Sequence, residues 1–449
     1  MLWALSAEAR CSDNSSGVGV VEYMNAGAAM RHSDSTRNTL SFGNRTSSSK
    51  MPKCDISDLA LFGGQSTFEH IRYVGRPNTG DRDRFFSRLD GALDRRWLTN
   101  GGALVTEFEE RVATLAGTRH CVATSSCTSA LQVLIRAAGL TGEVLMPSMT
   151  FAGTAHAVRW LGLEPLFCDV DPDTASLDPE LVAAAITPSV SAILGVHLWG
   201  RPCAVDELAE IADRHGIPLF FDAAHAVGCT FGGRPVGGFG TAEVLSFHAT
   251  KVVNAFEGGA IVTDDDALAE TLTALRNFGF GPTELRAGTN AKMSEASAAM
   301  GLTSLEAMAE NVAVNRARYE TYRDAVADLP GVELVSYDPA ETSNYHYLTV
   351  LVDEAEAGVG RDVLFDVLRA ENVFCQRYFW PACHEREPYR TERPVRLPHT
   401  ERLAARVLTL PTGPAMSTED VLVLCELIRY TISAAPAVLA SWRDLRGRP

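Results

Sequence analysis

In SFHATKVVNAFEGG, residues 246–259, Lys251 follows the strand-like AEVLSF and precedes a glycine pair, with small residues around it. An amine held where a strand ends and water is scarce has its charged form disfavoured, so its pKa falls and a nucleophilic free amine becomes available near neutral pH. Asp222 closes another apolar run, PLFFD. A carboxylate there costs several kcal/mol to desolvate unless a cation meets it, although by itself it reads equally well as a helix N-cap. One further strand separates the two residues, so Asp222 and Lys251 can face each other across one crevice. The turn SSCTSALQ enters a helix whose first N–H groups lack partners; with the hydroxyls of Thr128 and Ser129 it forms a cradle for a phosphate, to which Ser246 adds a third hydroxyl. Phe151, in MPSMTFAGT, follows a strand and can lie flat on a ring-shaped ligand, and His225, one helical turn past Asp222, can reach a ring substituent. Each of these also has an ordinary structural reading as a cap, a core aromatic or a packed histidine.

Taken together, a phosphate cradle, an aromatic plate, a buried carboxylate and a desolvated lysine suit pyridoxal phosphate. Lys251 would bond its aldehyde, and Asp222 would keep its pyridine nitrogen protonated so that the ring accepts electrons when a substrate C–H bond breaks. No metal is expected, since the ten cysteines are scattered without a C-x-x-C pair or a zinc-like histidine spacing.

The elements that must position these residues alternate from about residue 105. Strands are predicted at HCVATSS, EVLMPS, PLFCDV, SAILGVHLWG and PLFFDAA, with helices at TEFEERVATLAG, TSALQVLIRAAG, TAHAVRWLG, DPELVAAAI and VDELAEIADRHG between them. Strands apolar on both faces and alternating with helices predict a mostly parallel sheet in an α/β domain, with ligands at the carboxyl ends of its strands. After residue 294 one long helical stretch runs to the breaker PG, followed by strand-like VELVSY and YHYLTVLVD, the helix RDVLFDVLRAEN and a last helix, TEDVLVLCELIRYTI. The expected organisation is a disordered extension over 1–52, a large domain over 53–293, and a long linking helix with a small C-terminal α+β domain over 294–449. The polar, irregular start suggests a functional chain beginning near Met51.

The 449 residues are 46% apolar with a net charge of −16, which disfavours nucleic acid and anionic membrane surfaces as partners. No apolar run approaches the ~20 residues of a membrane helix, and the N-terminus lacks a basic leader, so a cytoplasmic protein with reduced thiols is expected. No G-x-G-x-x-G turn precedes a helix, against a nicotinamide-dependent oxidoreductase, and no helix-turn-helix extension is visible, against a regulatory protein that keeps the fold.

FDAAHAVG, EVLSFHATK and EGGAIVT, in that order, closely resemble the DegT/StrS family of sugar aminotransferases, and the likeness continues through GVHLWGRPC, GTNAKMSEASAAMGL, YFWPACHEREPY and LTLPTGPAMSTEDV. The resemblance implies an aspartate-aminotransferase-like fold (PLP fold type I) and a homodimer with shared active sites. It matches Lys251 to the Schiff-base lysine, Asp222 to the partner of the pyridine nitrogen, His225 to the residue beside the ring hydroxyl, and Phe151 to the residue stacked on the ring. Thr128, Ser129 and Ser246 match phosphate contacts, and Asn290 matches a residue that the neighbouring subunit lends. Many members have Gly-Thr where this chain has Cys127 and Thr128. The implied reaction moves an amine from glutamate to a nucleotide-linked keto-deoxysugar, a dTDP-4-keto-6-deoxyhexose, with Arg377 and His384 as candidates to neutralise the diphosphate. Alternatives are a ketosugar dehydratase, against which the lysine counts, and an aminotransferase for a cyclitol or other ring ketone.

Overall fold

The computed structural model describes residues 53–281 and 287–447; the extension expected over 1–52 lies outside the described residues. Seven strands make the central sheet: β1 (His120–Thr124), β2 (Glu143–Pro147), β3 (Glu164–Cys168), β4 (Val190–Val196), β5 (Leu219–Asp222), β6 (Ala242–Ser246) and β7 (Gly259–Thr263). Their order is β1-β7-β6-β5-β4-β2-β3. The neighbours from β6 through β3 pair in parallel, whereas β7 runs antiparallel to both β1 and β6. Strands β5, β6 and β7 are buried at every residue, so they do not alternate apolar with exposed polar residues, although β6 carries the buried Glu243.

Successive side chains feed opposite cores, as the two-residue period of a strand requires. Phe221, Ala260 and Val262 belong to one core, and Phe220 and Ile261 to the other. Seven helices accompany this sheet: α1 (Arg82–Arg95), α2 (Ala103–Ala116), α3 (Cys127–Ala137), α4 (Ala152–Trp160), α5 (Pro179–Ala185), α6 (Val205–His215) and α7 (Asp266–Leu275). Leu104 and Phe108 of α2 and Leu208 of α6 close the first core; Leu131 and Leu134 of α3, Val158 of α4 and Leu272 of α7 close the second.

The helical stretch expected as one rod divides at Ala307 into α8 (Glu295–Glu306) and α9 (Met308–Val326). The halves serve different cores: Ala298, Ala299 and Leu302 of α8 pack under the central sheet, while Tyr319, Tyr322 and Val326 of α9 pack in a separate C-terminal core. That second core is built on an antiparallel sheet of β8 (Val332–Leu334), β9 (Leu348–Val352) and β10 (Val407–Leu410) in sequential order. Helices α10 (Arg361–Ala370), α11 (Pro398–Arg406) and α12 (Thr418–Ser433) accompany it, and a further helix, α13 (Ala435–Arg446), follows the one taken from the sequence as last.

Two features of the packing bear on the expected boundaries. Leu59 and Phe68 enter the C-terminal core, and Arg72–Tyr73 pairs in parallel with Val373–Phe374, although the sequence places residue 53 onward with the large domain. Conversely, α8 lies past residue 293 yet packs with the first core. The described residues, 53–281 and 287–447, fall in one compact unit.

Candidate active site

At the carboxyl edge of the sheet, Gly259 of β7 lies in register between Thr124 of β1 and Ser246 of β6. A Cβ on Gly259 would come within 2.5 Å of the Cys127 nitrogen, so only glycine lets this strand pass the start of α3. Helix α3 opens with a capping box in which the Ser126 hydroxyl accepts from the Ser129 N–H at 3.1 Å, and Ser129 Oγ accepts from the Ser126 N–H at 3.0 Å. Ser129 therefore turns its hydroxyl toward its own cap. Among the described residues no protein acceptor meets the N–H groups of Cys127 and Thr128, the two at the helix's open end.

Beside this end begins α4, with Phe151 at its N-cap and 42% exposed. A Cβ at Gly153 would sit 2.7 Å from the Phe151 ring and 3.3 Å from Thr128 Oγ1, so plate and cradle adjoin. The next residue, Thr154, donates from Oγ1 to Asp222 Oδ2 at 2.8 Å, and the Ala224 N–H donates to Oδ1 at 3.0 Å. Burial raises the Asp222 carboxyl above the usual carboxylate range, and these two bonds with the charge of Lys251 offset that only in part.

Lys251 lies in the turn after β6. Burial lowers its amine to about 8, against the opposing pull of Asp222. Its Nζ donates to Tyr347 Oη at 2.6 Å. Tyr347 in turn stacks on His225, with ring centroids 3.9 Å apart and planes inclined by 26°. The Trp199 N–H donates to His225 Nδ1 at 3.2 Å, which leaves the ring proton at Nε2; burial first, then Lys251 and His346, push the imidazole well below its usual value.

The segment before β9 clasps the loops that carry His225 and Lys251. Asn344 Nδ2 donates to the carbonyls of His225 and Val227, at 2.9 and 3.1 Å, and His346 Nε2 lies 2.7 Å from the Thr250 carbonyl. Phe379 completes the ring cluster, 6.0 Å from Phe151 and 5.9 Å from His225.

The remaining sequence candidates divide. Ser246 is buried at the end of β6. Cys127 opens α3, where burial and then Asp222 push its thiol far up, so it stays neutral. Asn290 is exposed, bridges to Asn277, and precedes Ala291, whose carbonyl accepts from the Ser125 N–H at the approach to α3. Arg377 donates to Asp362 at 2.8 Å and lies over the rings of Phe365 and Trp380, at 4.2 and 4.3 Å. His384 is buried, its Nδ1 2.7 Å from Ser148 Oγ and its Nε2 3.5 Å from Glu401. Neither of the last two is drawn toward the lysine. Tyr347, Thr154 and Phe379 escape the sequence reading; the one local signal for Tyr347 was its place at the start of the strand-like YHYLTVLVD.

A mostly parallel sheet of this order, with a buried amine and acid meeting at its carboxyl edge, defines an α/β enzyme of the aminotransferase class. Residues 80–429 match the DegT/DnrJ/EryC1/StrS aminotransferase family, and the chain belongs to it. A dTDP-4-amino-4,6-dideoxy-D-glucose transaminase of Shigella dysenteriae is 34% identical over 360 residues, which cover 80% of this chain and 98% of that protein. Among solved structures, DesI, crystallised in the presence of its TDP-sugar product, is 57% identical with a TM-score of 0.85, covering 87% of this chain and 100% of DesI. DesV of S. venezuelae is 31% identical with a TM-score of 0.73, covering 80% of this chain and 98% of DesV.

Proposed function

We propose that this aminotransferase uses pyridoxal phosphate to carry an amino group from glutamate to a dTDP-linked 4-keto-6-deoxyhexose. The observation that carries the reading is the meeting, at one sheet edge, of a desolvated amine, an incompletely satisfied buried acid and the unpartnered N–H groups of α3. The residues fit the group: a phosphate suits the open end of α3, a flat ring suits the exposed face of Phe151 beside it, and a protonated ring nitrogen would supply the cation that Asp222 lacks. When bound, pyridoxal phosphate supplies an aldehyde for covalent attachment and a ring that takes up the electron pair of a breaking C–H bond.

The chain's own residues do the rest. The N–H groups of Cys127 and Thr128, with the hydroxyls of Thr128 and Ser246, hold the phosphate. Ser129 contributes by fixing the cap, and Asn290 is lent by a second copy. Phe151 and His225 orient the ring, with Nε2–H of His225 free to donate. Lys251 Nζ would hold the cofactor at rest; once free, it would carry a proton between the substrate carbon and the cofactor carbon, a transfer typically worth about 10²- to 10⁴-fold. The sugar-nucleotide choice is supported by the likeness to DesI and to the Shigella enzyme. A homodimer is supported by the exposed Phe86, Trp97, Leu98, Phe278 and Phe280. Arg377 remains the candidate for the diphosphate, which would replace Asp362 as its partner.

Borohydride reduction of the purified protein, followed by peptide mass spectrometry, should fix the cofactor on Lys251. Unreduced protein from the same purification should release 2-oxoglutarate from glutamate and form an aminated product when given dTDP-4-keto-6-deoxyglucose. Attachment at another residue, or fully loaded protein with none, refutes the reading.

A further inference from the structure

Tyr347 is the partner of Lys251 that the established activity of the family does not require by chemistry, yet the fold goes to some length to place it. It enters from the irregular segment just before β9 of the C-terminal sheet, whereas Lys251 hangs from the turn after β6. Neighbours on both sides of Tyr347 are tied to the catalytic loops, His346 to the Thr250 carbonyl and Asn344 to the His225 and Val227 carbonyls. Its ring is held against His225 at 3.9 Å, so the phenol cannot swing away without breaking that stack. Among the described residues, the bond to Tyr347 Oη at 2.6 Å is the one hydrogen bond that Lys251 Nζ makes.

We infer that Tyr347 is a positioning residue whose hydroxyl holds the Lys251 amine in both of its protonation states during the interval when that amine is free of the cofactor. The inference rests on the reading of Lys251 given above. A hydroxyl is suited to this because it can accept from an ammonium and donate to a neutral amine, where a carboxylate or a second lysine could do only one. The bond to the charged form is the stronger of the two, so Tyr347 also holds the amine's pKa up against burial. The phenol stays neutral throughout, because burial, then Asp222 and Cys127, raise it far above its usual range. Other titratable groups face Lys251 from each side: Asp222 at the end of β5, Cys127 at the start of α3, His225 beyond β5 and His346 beside Tyr347. None of them makes a hydrogen bond to Nζ among the described residues.

The test follows Lys251 alone, in full-length protein freed of cofactor. Cyanate carbamylates only the neutral amine, and peptide mass spectrometry reads the rate at residue 251 as a function of pH. In the unaltered protein the midpoint should lie at about 8. In Tyr347→Phe it should fall by about one pH unit, the shift that corresponds to losing one hydrogen bond to a charged group. The acid limb of the pH profile for the glutamate half-reaction should move the same way in the loaded enzyme. Tyr347→Leu, which removes ring and hydroxyl together, should show the same shift; a shift confined to Tyr347→Leu would assign the effect to ring packing and overturn the inference. Borohydride attachment separates the two levels. If Lys251 carries the cofactor in all three proteins and the midpoint does not move, the inference about Tyr347 falls alone. If Lys251 carries none in the unaltered protein, the functional reading falls and takes this with it.

Discussion

Two buried carboxylates lie on adjacent strands of the central sheet and meet opposite treatment. Glu243, opposite Phe221 in the β5–β6 register, is fully buried and closed off by partners. Its Oε1 accepts from the Gly237 and Phe239 N–H groups at 2.7 and 2.8 Å, and its Oε2 lies 3.2 Å from His197 Nε2. The Cys203 N–H donates to His197 Nδ1 at 3.2 Å, which places the imidazole proton on the nitrogen that faces the glutamate. Asp222 receives one hydroxyl and one N–H, and no cationic side chain donates to it among the described residues. A carboxylate has about four acceptor positions; the protein fills three on Glu243, one of them from an imidazole, and two on Asp222, which keeps room for a further donor. Glu243 pins the Gly237–Phe239 loop; Asp222 is the less filled of the two acids.

The largest effect should come from removing the amine that faces Asp222. Lys251→Ala should leave the cradle and acid in place and cut turnover by about 10²- to 10⁴-fold, with the melting temperature little changed and cofactor retained without covalent attachment. Steady-state rates and absorbance spectra check this, and near-normal turnover would end the role given to Lys251. Next, Asp222→Asn should cost about 10²- to 10³-fold in rate, the scale seen when a preorganised electrostatic partner is removed. Glu243→Ala should instead cost about 3–5 kcal/mol of stability, because it strands His197 and two N–H groups in the core. Its activity per folded molecule should stay close to normal. Denaturant unfolding beside activity assays would show whether the two acids part in this way; if Asp222→Asn unfolds as readily as Glu243→Ala, the contrast is lost.

Much of this contrast was legible in the chain. Strands buried on both faces betray themselves as unbroken apolar runs, and a polar residue at the end of such a run, like Asp222 or Lys251, stands out against them. The open end of α3 was legible too, because serine and threonine at a helix start have few other uses. What was hidden depends on distant packing. Tyr347, Thr154 and Phe379 acquire meaning only when β9, α4 and the 377–380 segment meet. The break at Ala307 carries no proline or glycine; it reflects two halves answering to different cores. Ser129 was read as a hydroxyl of the phosphate cradle, whereas its Oγ turns to the cap of α3, a matter of cap geometry that composition does not encode.

A smaller effect is expected where a charge is already engaged. Arg377 is bound to Asp362 and lies between Phe365 and Trp380, so recruiting it to a diphosphate exchanges one anion for another. Arg377→Ala should raise the Michaelis constant for the sugar nucleotide several-fold and leave that for glutamate unchanged. An unchanged constant for the sugar nucleotide would return Arg377 to a purely structural role.

The most delicate expectation follows from the sign of the Asp222 shift. Burial raises its folded pKa above the unfolded value. Below the unfolded value the carboxyl is protonated in both states and burial costs nothing extra; as pH rises through the folded value, the folded chain must hold a charge that the unfolded chain leaves in water, so stability is lost. Asparagine mimics the protonated acid at every pH. In cofactor-free protein, therefore, the melting temperature of Asp222→Asn should gain on that of the parent as pH rises from below the ordinary carboxylate value of 3.8 to 8, while saturating cofactor should shrink or reverse the gap by giving the carboxylate its missing cation. Thermal melts across that range decide the matter. A variant that gains nothing on its parent across that range without cofactor would mean that Asp222 is as fully satisfied by the protein as Glu243, and the two acids would no longer differ in kind.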